Sequence, residues 1–111
     1  MMKRHASLIL LALLCFISNQ VSAYDFSAVA PTGQTLYYTI TNGNNVNVTR
    51  PSSGWSGFTQ PSGALTIPAS VSYNGTDYIV KGIEYGAFEG CYGLFLVNIP
   101  NTVTSIGNYA F

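Results

Sequence analysis

The chain has few charged residues and very little histidine or cysteine. Charged side chains make up 7% of its 111 residues, and it contains one histidine, His5, and two cysteines, Cys15 and Cys91. Nucleic-acid-binding proteins use clustered lysine and arginine to neutralise phosphates, and this sequence has no such cluster. The shortage of charge therefore argues against a nucleic acid partner.

The first 23 residues have the pattern of a secretory signal peptide: a basic start, an apolar run and a small residue at the end. The apolar run, Leu8–Ile17, has ten residues, whereas a membrane-spanning helix needs about 20. We expect cleavage after Ala23, a mature chain that begins at Tyr24 and has no membrane span, and a protein that is secreted or displayed on the cell surface.

Cleavage at this point would remove His5 and Cys15 together with the signal peptide. A chain without imidazole has no Ser-His or Cys-His pair to activate a nucleophile, and it lacks the nitrogen ligand of zinc and copper sites. The remaining Cys91 has no partner for an internal disulfide. We expect it to be buried as a small apolar side chain, in preference to a reactive thiol or an intermolecular bridge. No metal or organic cofactor is expected.

The mature chain carries more carboxylates than cations, with a net charge of about −2 by counting side chains. The carboxylates are Asp25, Asp77, Glu84 and Glu89, and the cations are Arg50 and Lys81. Acid–base hydrolysis of a sugar needs two carboxylates that face each other across a cleft, and no spacing here predicts such a pair. We predict that the protein is not an enzyme; a carbohydrate-acting enzyme that uses one of these carboxylates is the weaker alternative.

Short β-branched and alternating runs predict a mainly β fold. The runs TLYYTI and VNVT flank Asn42-Gly43, which predicts a β-hairpin. The stretch from Arg50 to Gly63 is rich in proline and glycine and is predicted to be a loop. Its Trp55 and Phe58 either cover the open end of the core or form an exposed aromatic platform for a sugar.

The second half of the sequence repeats itself. Ile67-Pro68 in LTIPASV returns as Ile99-Pro100 in LVNIPNTV, and GIEYGAF returns 23 residues later as SIGNYAF. The first copy is interrupted by SYNGTDYIV, in which Asn74-Gly75 predicts an inserted hairpin. A period in the low twenties is typical of leucine-rich-repeat solenoids.

The second copy predicts what one unit contains. Leu94, Val97 and Ile99 should point inward from a strand that proline then ends. The spacing of Ile106, Ala110 and Phe111 suits a short helical turn that closes the same core. The predicted fold is therefore an N-terminal β-hairpin region, residues 24–63, followed at residues 64–111 by a short solenoid with a strand and a short helical turn in each unit of ~23 residues.

The repeat resembles the BspA-type leucine-rich repeat, whose units run A-F-x-x-C-x-x-L-x-x-V-x-I-P-x-x-V-x-x-I-G. The matching residues are Ala87, Phe88, Cys91, Leu94, Val97, Ile99, Pro100, Val103, Ile106 and Gly107. The resemblance covers roughly Leu65 to Phe111, and the start of the chain is also similar to exported proteins of Bacteroides-like bacteria. Family members usually carry many more units than the two found here.

This resemblance implies a non-catalytic recognition or adhesion protein, with protein or glycoprotein ligands on host or other cells. The candidate ligand-facing residues are Trp55, Tyr78, Leu96 and Asn98. The alternative is an N-terminal cap of a longer repeat protein, with no binding activity of its own. Because a repeat unit buries its apolar face only against a neighbour, we expect the last unit to be covered by further repeats or by self-association with another copy.

Overall fold

The computed structural model describes residues 23–111, so the predicted signal peptide lies outside the described residues apart from Ala23. Eight β-strands form this part of the chain: β1 Phe26–Val29, β2 Thr35–Ile40, β3 Asn45–Thr49, β4 Gly63–Thr66, β5 Ser70–Tyr73, β6 Thr76–Ile83, β7 Leu94–Asn98 and β8 Ser105–Ile106. The prediction of a mainly β fold is confirmed. Among residues 23–111 there is no helix long and apolar enough to cross a membrane.

Both predicted hairpins are present. β2 and β3 pair antiparallel across the Asn42-Gly43 turn, and β5 and β6 pair antiparallel across Asn74-Gly75. Asn74 and Gly75 have φ angles of 51° and 78°, the left-handed conformation that a two-residue type I′ turn requires at both central positions. Asparagine and glycine tolerate that conformation, which explains why this dipeptide starts a hairpin.

The larger sheet contains six strands and mixes hairpin and repeat pairing. Its order is β1-β2-β3-β6-β5, and β8 pairs with the end of β6. β3 and β8 both run parallel to β6, so that Val48, Ile83 and Ile106 lie side by side. The N-terminal hairpin thus continues the stacking of the repeat units, with β3 in the place of a preceding unit.

The smaller sheet contains only β4 and β7, paired in parallel. Leu65 lies beside Val97 and Thr66 beside Asn98. This is the alignment that the repeated Ile-Pro motif predicted. Each repeat therefore contributes one strand, β4 or β7, to the smaller sheet. To the larger sheet the first repeat contributes β6 with the inserted β5, and the second contributes β8.

The predicted short helical turn in each unit was wrong. After β6 the chain makes successive tight turns, in which the amides of Ala87, Glu89 and Cys91 donate to carbonyls three residues earlier. Gly86 and Gly90 have φ angles of 65° and 83°, whereas an α-helix needs φ near −63°. The left-handed glycines interrupt each turn before an α-helical hydrogen bond can form.

The larger sheet curls until its two ends meet. β1 and β5 lie at opposite ends of the strand order, yet the rings of Phe26 and Tyr73 stack with centroids 4.4 Å apart and an angle of 4° between the ring planes. The Phe26 ring also packs against Tyr38 and Tyr78. The buried core consists of Phe26, Ala30, Leu36, Tyr38, Val46, Val48, Trp55, Leu65, Ile67, Val80, Ile83, Ala87, Phe88, Cys91 and Ala110.

Candidate functional site

The outward face of the β4–β7 sheet holds two of the predicted ligand-facing residues. Leu96 lies on β7 and is 50% exposed, and Asn98 is also exposed. The side-chain nitrogen Nδ2 of Asn98 donates a hydrogen bond to Thr66 Oγ1 at 3.2 Å. The face therefore offers one apolar side chain and an ordered pair of polar side chains to solvent.

The free edge of β4 is closed by side chains from the turn between β1 and β2. Gln34 Nε2 donates to the carbonyls of Ser62 and Ala64, at 2.8 and 3.0 Å. Thr32 Oγ1 accepts from the amide of Thr66 at 3.0 Å. Backbone groups that a neighbouring strand would otherwise satisfy are paired here, so this edge does not accept another strand.

The opposite edge, formed by β7, pairs with no further strand among the described residues. Beside it lies an open groove of about 330 Å³, lined by Phe88, Cys91, Tyr92, Leu94, Phe95, Leu96, Val97 and Phe111. Several of these side chains, Phe95 among them, are largely exposed. No charged residue occurs from Gly90 to Phe111. The β7 end is therefore open and apolar, in contrast to the closed β4 edge.

Cys91 lies in the wall of this groove, and its side chain is buried, as predicted. Burial raises the pKa of its thiol to about 11, because the thiolate would lose its hydration. The nucleophilic form is the thiolate. At neutral pH the thiol of Cys91 is therefore protonated.

The other two candidate residues pack against aromatic rings. Trp55 is 6% exposed, and its Nε1 donates to the carbonyl of Ala87 at 3.1 Å. Its ring and that of Phe58 both meet Tyr37 edge-on. Tyr78 is half-buried beside Phe26. The loop from Arg50 to Gly63 thus folds over the outer surface of β2. Trp55 is part of the core and does not face solvent.

The four carboxylates have four different partners. The Asp25 carboxylate accepts a hydrogen bond from the backbone amide of Ile40, and the Asp77 carboxylate accepts one from the hydroxyl of Ser72. The Glu84 carboxylate accepts a hydrogen bond from the side-chain Nδ2 of Asn47. Glu89 lies 3.6 Å from the Arg50 guanidinium. None of these contacts joins two carboxylates, and each supports the local fold.

Sequence reasoning missed a surface formed by Arg50, Tyr85, Glu89 and Tyr109, which we call the Tyr–Arg surface. The rings of Tyr85 and Tyr109 lie 5.6 Å apart at 85°, and the Arg50 guanidinium lies 5.7 Å from the centre of the Tyr85 ring. The repeat alignment places Tyr109 opposite Gly86, the residue after Tyr85. The two tyrosines therefore do not occupy equivalent positions in the two units. A comparison limited to equivalent positions does not reveal them.

No family model and no curated protein sequence matches the chain. Two solved structures do. A leucine-rich repeat protein from Bacteroides ovatus ATCC 8483 is 32% identical over 79% of this chain, with a TM-score of 0.63. A leucine rich cell surface protein from Faecalibacterium prausnitzii A2-165 is 26% identical over 78% of this chain, with a TM-score of 0.54.

The matched region is 21% of each of those two proteins, so this chain spans about a fifth of their length. The similarity covers the hairpin region as well as the repeats, since it extends over more than three quarters of this chain. Both the paired repeat strands and these two structural matches show that the chain belongs to the leucine-rich-repeat proteins.

Proposed function

We propose that the chain is the N-terminal portion of a non-catalytic, secreted or cell-surface leucine-rich-repeat protein of the BspA type, which recognises proteins or glycoproteins on host or other cells. The observation that carries the proposal is the exposed face of β4–β7, where Leu96 lies beside Ala64 and Asn98 lies beside Thr66, to which it is hydrogen-bonded. A parallel stack of strands presents such residues as a continuous row that grows with each unit. The description of the Faecalibacterium relative as a cell surface protein supports the location.

Binding to matrix proteins tests this proposal. The chain from Tyr24 to Phe111 is passed over surfaces coated with fibronectin, laminin or collagen. We expect saturable binding that weakens when Leu96→Glu places a charge on the β4–β7 face. The matched control is Val29→Glu, which places the same charge at an exposed apolar position on β1. Equal binding by both variants, or no binding at all, would count against recognition through this face.

A second candidate function is a cap that begins the repeat array and has no binding activity of its own. The asymmetry of the smaller sheet favours it: side chains of Thr32 and Gln34 close the β4 edge, whereas β7 and its apolar groove are open. A further unit that pairs with β7 would cover the groove and bury exposed side chains such as Phe95. The hydrophobic effect would then stabilise both units.

Light scattering and thermal unfolding separate the alternatives. The chain from Tyr24 to Phe111 is compared with a version that carries three added consensus repeats. A cap predicts that the added repeats raise the Tm and abolish any aggregation of the short form. A stable dimer of the short form would instead indicate that a second copy covers the β7 end. A short form that is monomeric and melts cooperatively would indicate that this region folds as a complete domain.

A further inference from the structure

The Tyr–Arg surface exposes two aromatic rings, which lie in the corresponding turns of two successive repeat units. Tyr85 follows β6 and is 55% exposed, and Tyr109 follows β8 and is 66% exposed. The turns that carry them are held together, since the amide of Gly86 donates to the carbonyl of Asn108 at 3.0 Å. The planes of the two rings meet at 85° and form a corner.

The backbone beneath one of these rings is strained. Tyr109 has a φ angle of 58°, and Gly86, its equivalent in the preceding unit, has a φ angle of 65°. Glycine adopts this left-handed conformation freely, whereas a residue with a Cβ meets a steric penalty. A tyrosine stands where the fold is most easily built with glycine. Strain of this kind points to a use for the side chain that is separate from stability.

Polar groups of both signs border the rings. The Arg50 guanidinium lies over the Tyr85 ring and 3.6 Å from the Glu89 carboxylate. Guanidinium has five N–H donors, more than a single carboxylate contact uses. The Glu89 side chain is 52% exposed, so its carboxylate still has accepting positions open to solvent. The two charges cancel, and the surface as a whole is neutral.

We propose that the Tyr–Arg surface binds a neutral hexopyranose unit of a glycan. One face of a pyranose ring carries C–H groups with partial positive charge, which pack on the negative face of an aromatic ring. The hydroxyl groups at its rim donate to carboxylates and accept from guanidinium. An acidic sugar would be repelled by the exposed Glu89 carboxylate, and the Arg50 charge is already compensated. The surface follows β6 and β8 of the larger sheet, so this inference does not rest on the β4–β7 face.

Titration with methyl α-mannoside, methyl β-galactoside and methyl β-glucoside, followed by saturation-transfer NMR, tests the inference. We expect weak saturable binding of at least one of them, and we expect Tyr85→Ala and Tyr109→Ala each to weaken it by about tenfold. The matched control is Tyr92→Ala, because Tyr92 is 93% exposed and lies outside the surface. Sialyllactose serves as the acidic probe and should bind more weakly than the neutral sugars.

A second measurement separates a binding role from a structural one. Tyr109→Gly removes both the ring and the strain, whereas Tyr109→Ala removes only the ring. We expect the glycine variant to have the higher Tm of the two, and both variants to lose sugar binding. The inference would be overturned by the absence of saturable binding to all three sugars, by equal loss in Tyr92→Ala, or by preference for sialyllactose. Matrix binding that depends on Leu96 would survive such a result, so the two proposals fail independently.

Discussion

Gly107 shows how one missing side chain allows the repeats to stack. A Cβ at this position would lie 2.5 Å from the backbone nitrogen of Tyr85 in the preceding unit. The amide of Gly107 donates to the carbonyl of Ile83 at 2.8 Å, which holds the two backbones at this distance. Backbone atoms cannot move aside as the end of a flexible side chain does. The glycine of the Ile-Gly motif is therefore required by close approach of the chain to itself.

We predict that Gly107→Ala destabilises the fold by about 2 kcal/mol, because the added methyl group forces the two turns apart. The matched control is Gly54→Ala, since nothing lies within 4 Å of a Cβ at Gly54 and its φ is not positive. Urea unfolding followed by circular dichroism measures both variants. Equal stability of the two would show that the turns can separate without cost.

Cys91 makes a pH-dependent contribution to stability. Burial raises the pKa of its thiol from 9.0 to about 11 in the folded chain. A raised folded-state pKa means that the folded protein holds the proton more tightly than the unfolded one. The contribution is therefore complete below pH 9 and is lost as the pH rises to about 11.

We predict that the free energy of unfolding falls over this pH range and that the fall is less steep in Cys91→Ala. Part of the slope will persist, because burial also raises the pKa of Tyr38 and Tyr37. Urea unfolding at a series of pH values, with both proteins measured in the same buffers, gives the two slopes. Identical slopes would mean that Cys91 does not contribute.

At the scale of elements, the Gln34 side chain donates the hydrogen bonds that a neighbouring strand would otherwise donate to the edge of β4. We predict that Gln34→Ala destabilises the fold by about 1–2 kcal/mol, because two carbonyl groups lose their donor. Gln60→Ala makes the same change at an exposed loop position and should be nearly neutral. Chemical unfolding compares them. Hydrogen exchange at Thr66 should also be unaffected in the control and faster in Gln34→Ala.

The elements that the sequence predicted well are those with local signals. Asn42-Gly43 and Asn74-Gly75 mark both hairpins because their turns need a left-handed backbone. The parallel pairing of β3 with β6 has no such signal, since its partners, Val48 and Ile83, are far apart in sequence. The periodicity of apolar residues also predicted a helical turn around Ala110. It contains no information on the left-handed conformation of Gly86, which prevents such a turn in the preceding unit.

The candidate site was harder to predict than the fold. Leu96 and Asn98 could be placed on an exposed face because strand alternation determines side-chain direction. Trp55 could not be placed, because its contacts with Tyr37 and with the Ala87 carbonyl join residues that are far apart in the sequence. Tyr85 and Tyr109 come together only through the stacking of two turns. Contacts that depend on the register between units cannot be read from either unit alone.

At the scale of the whole molecule, the predicted cleavage site lies just before β1, which begins at Phe26. Ala23 is exposed, and the Tyr24 ring packs against Tyr37 with centroids 4.8 Å apart. We predict that mass spectrometry of the exported protein finds Tyr24 as its first residue. Ala23→Leu should block processing and leave the longer form, because a bulky residue does not fit the cleavage position. Ala28→Leu lies beyond that position and should be processed normally.

The pairing of β3 with β6 would have a consequence for export, if the chain crosses a membrane from its N-terminus as the predicted signal peptide implies. Val46 and Val48 on β3 are fully buried in the finished fold, and their parallel partners, Val80 and Ile83, emerge more than thirty residues later. The first hairpin can form early, but its apolar side has no cover until β6 arrives. During that interval the hairpin is exposed to misassembly with other chains. In a chain exported in this direction, the time needed to export residues 50–83 would set how long the apolar side of the hairpin stays uncovered.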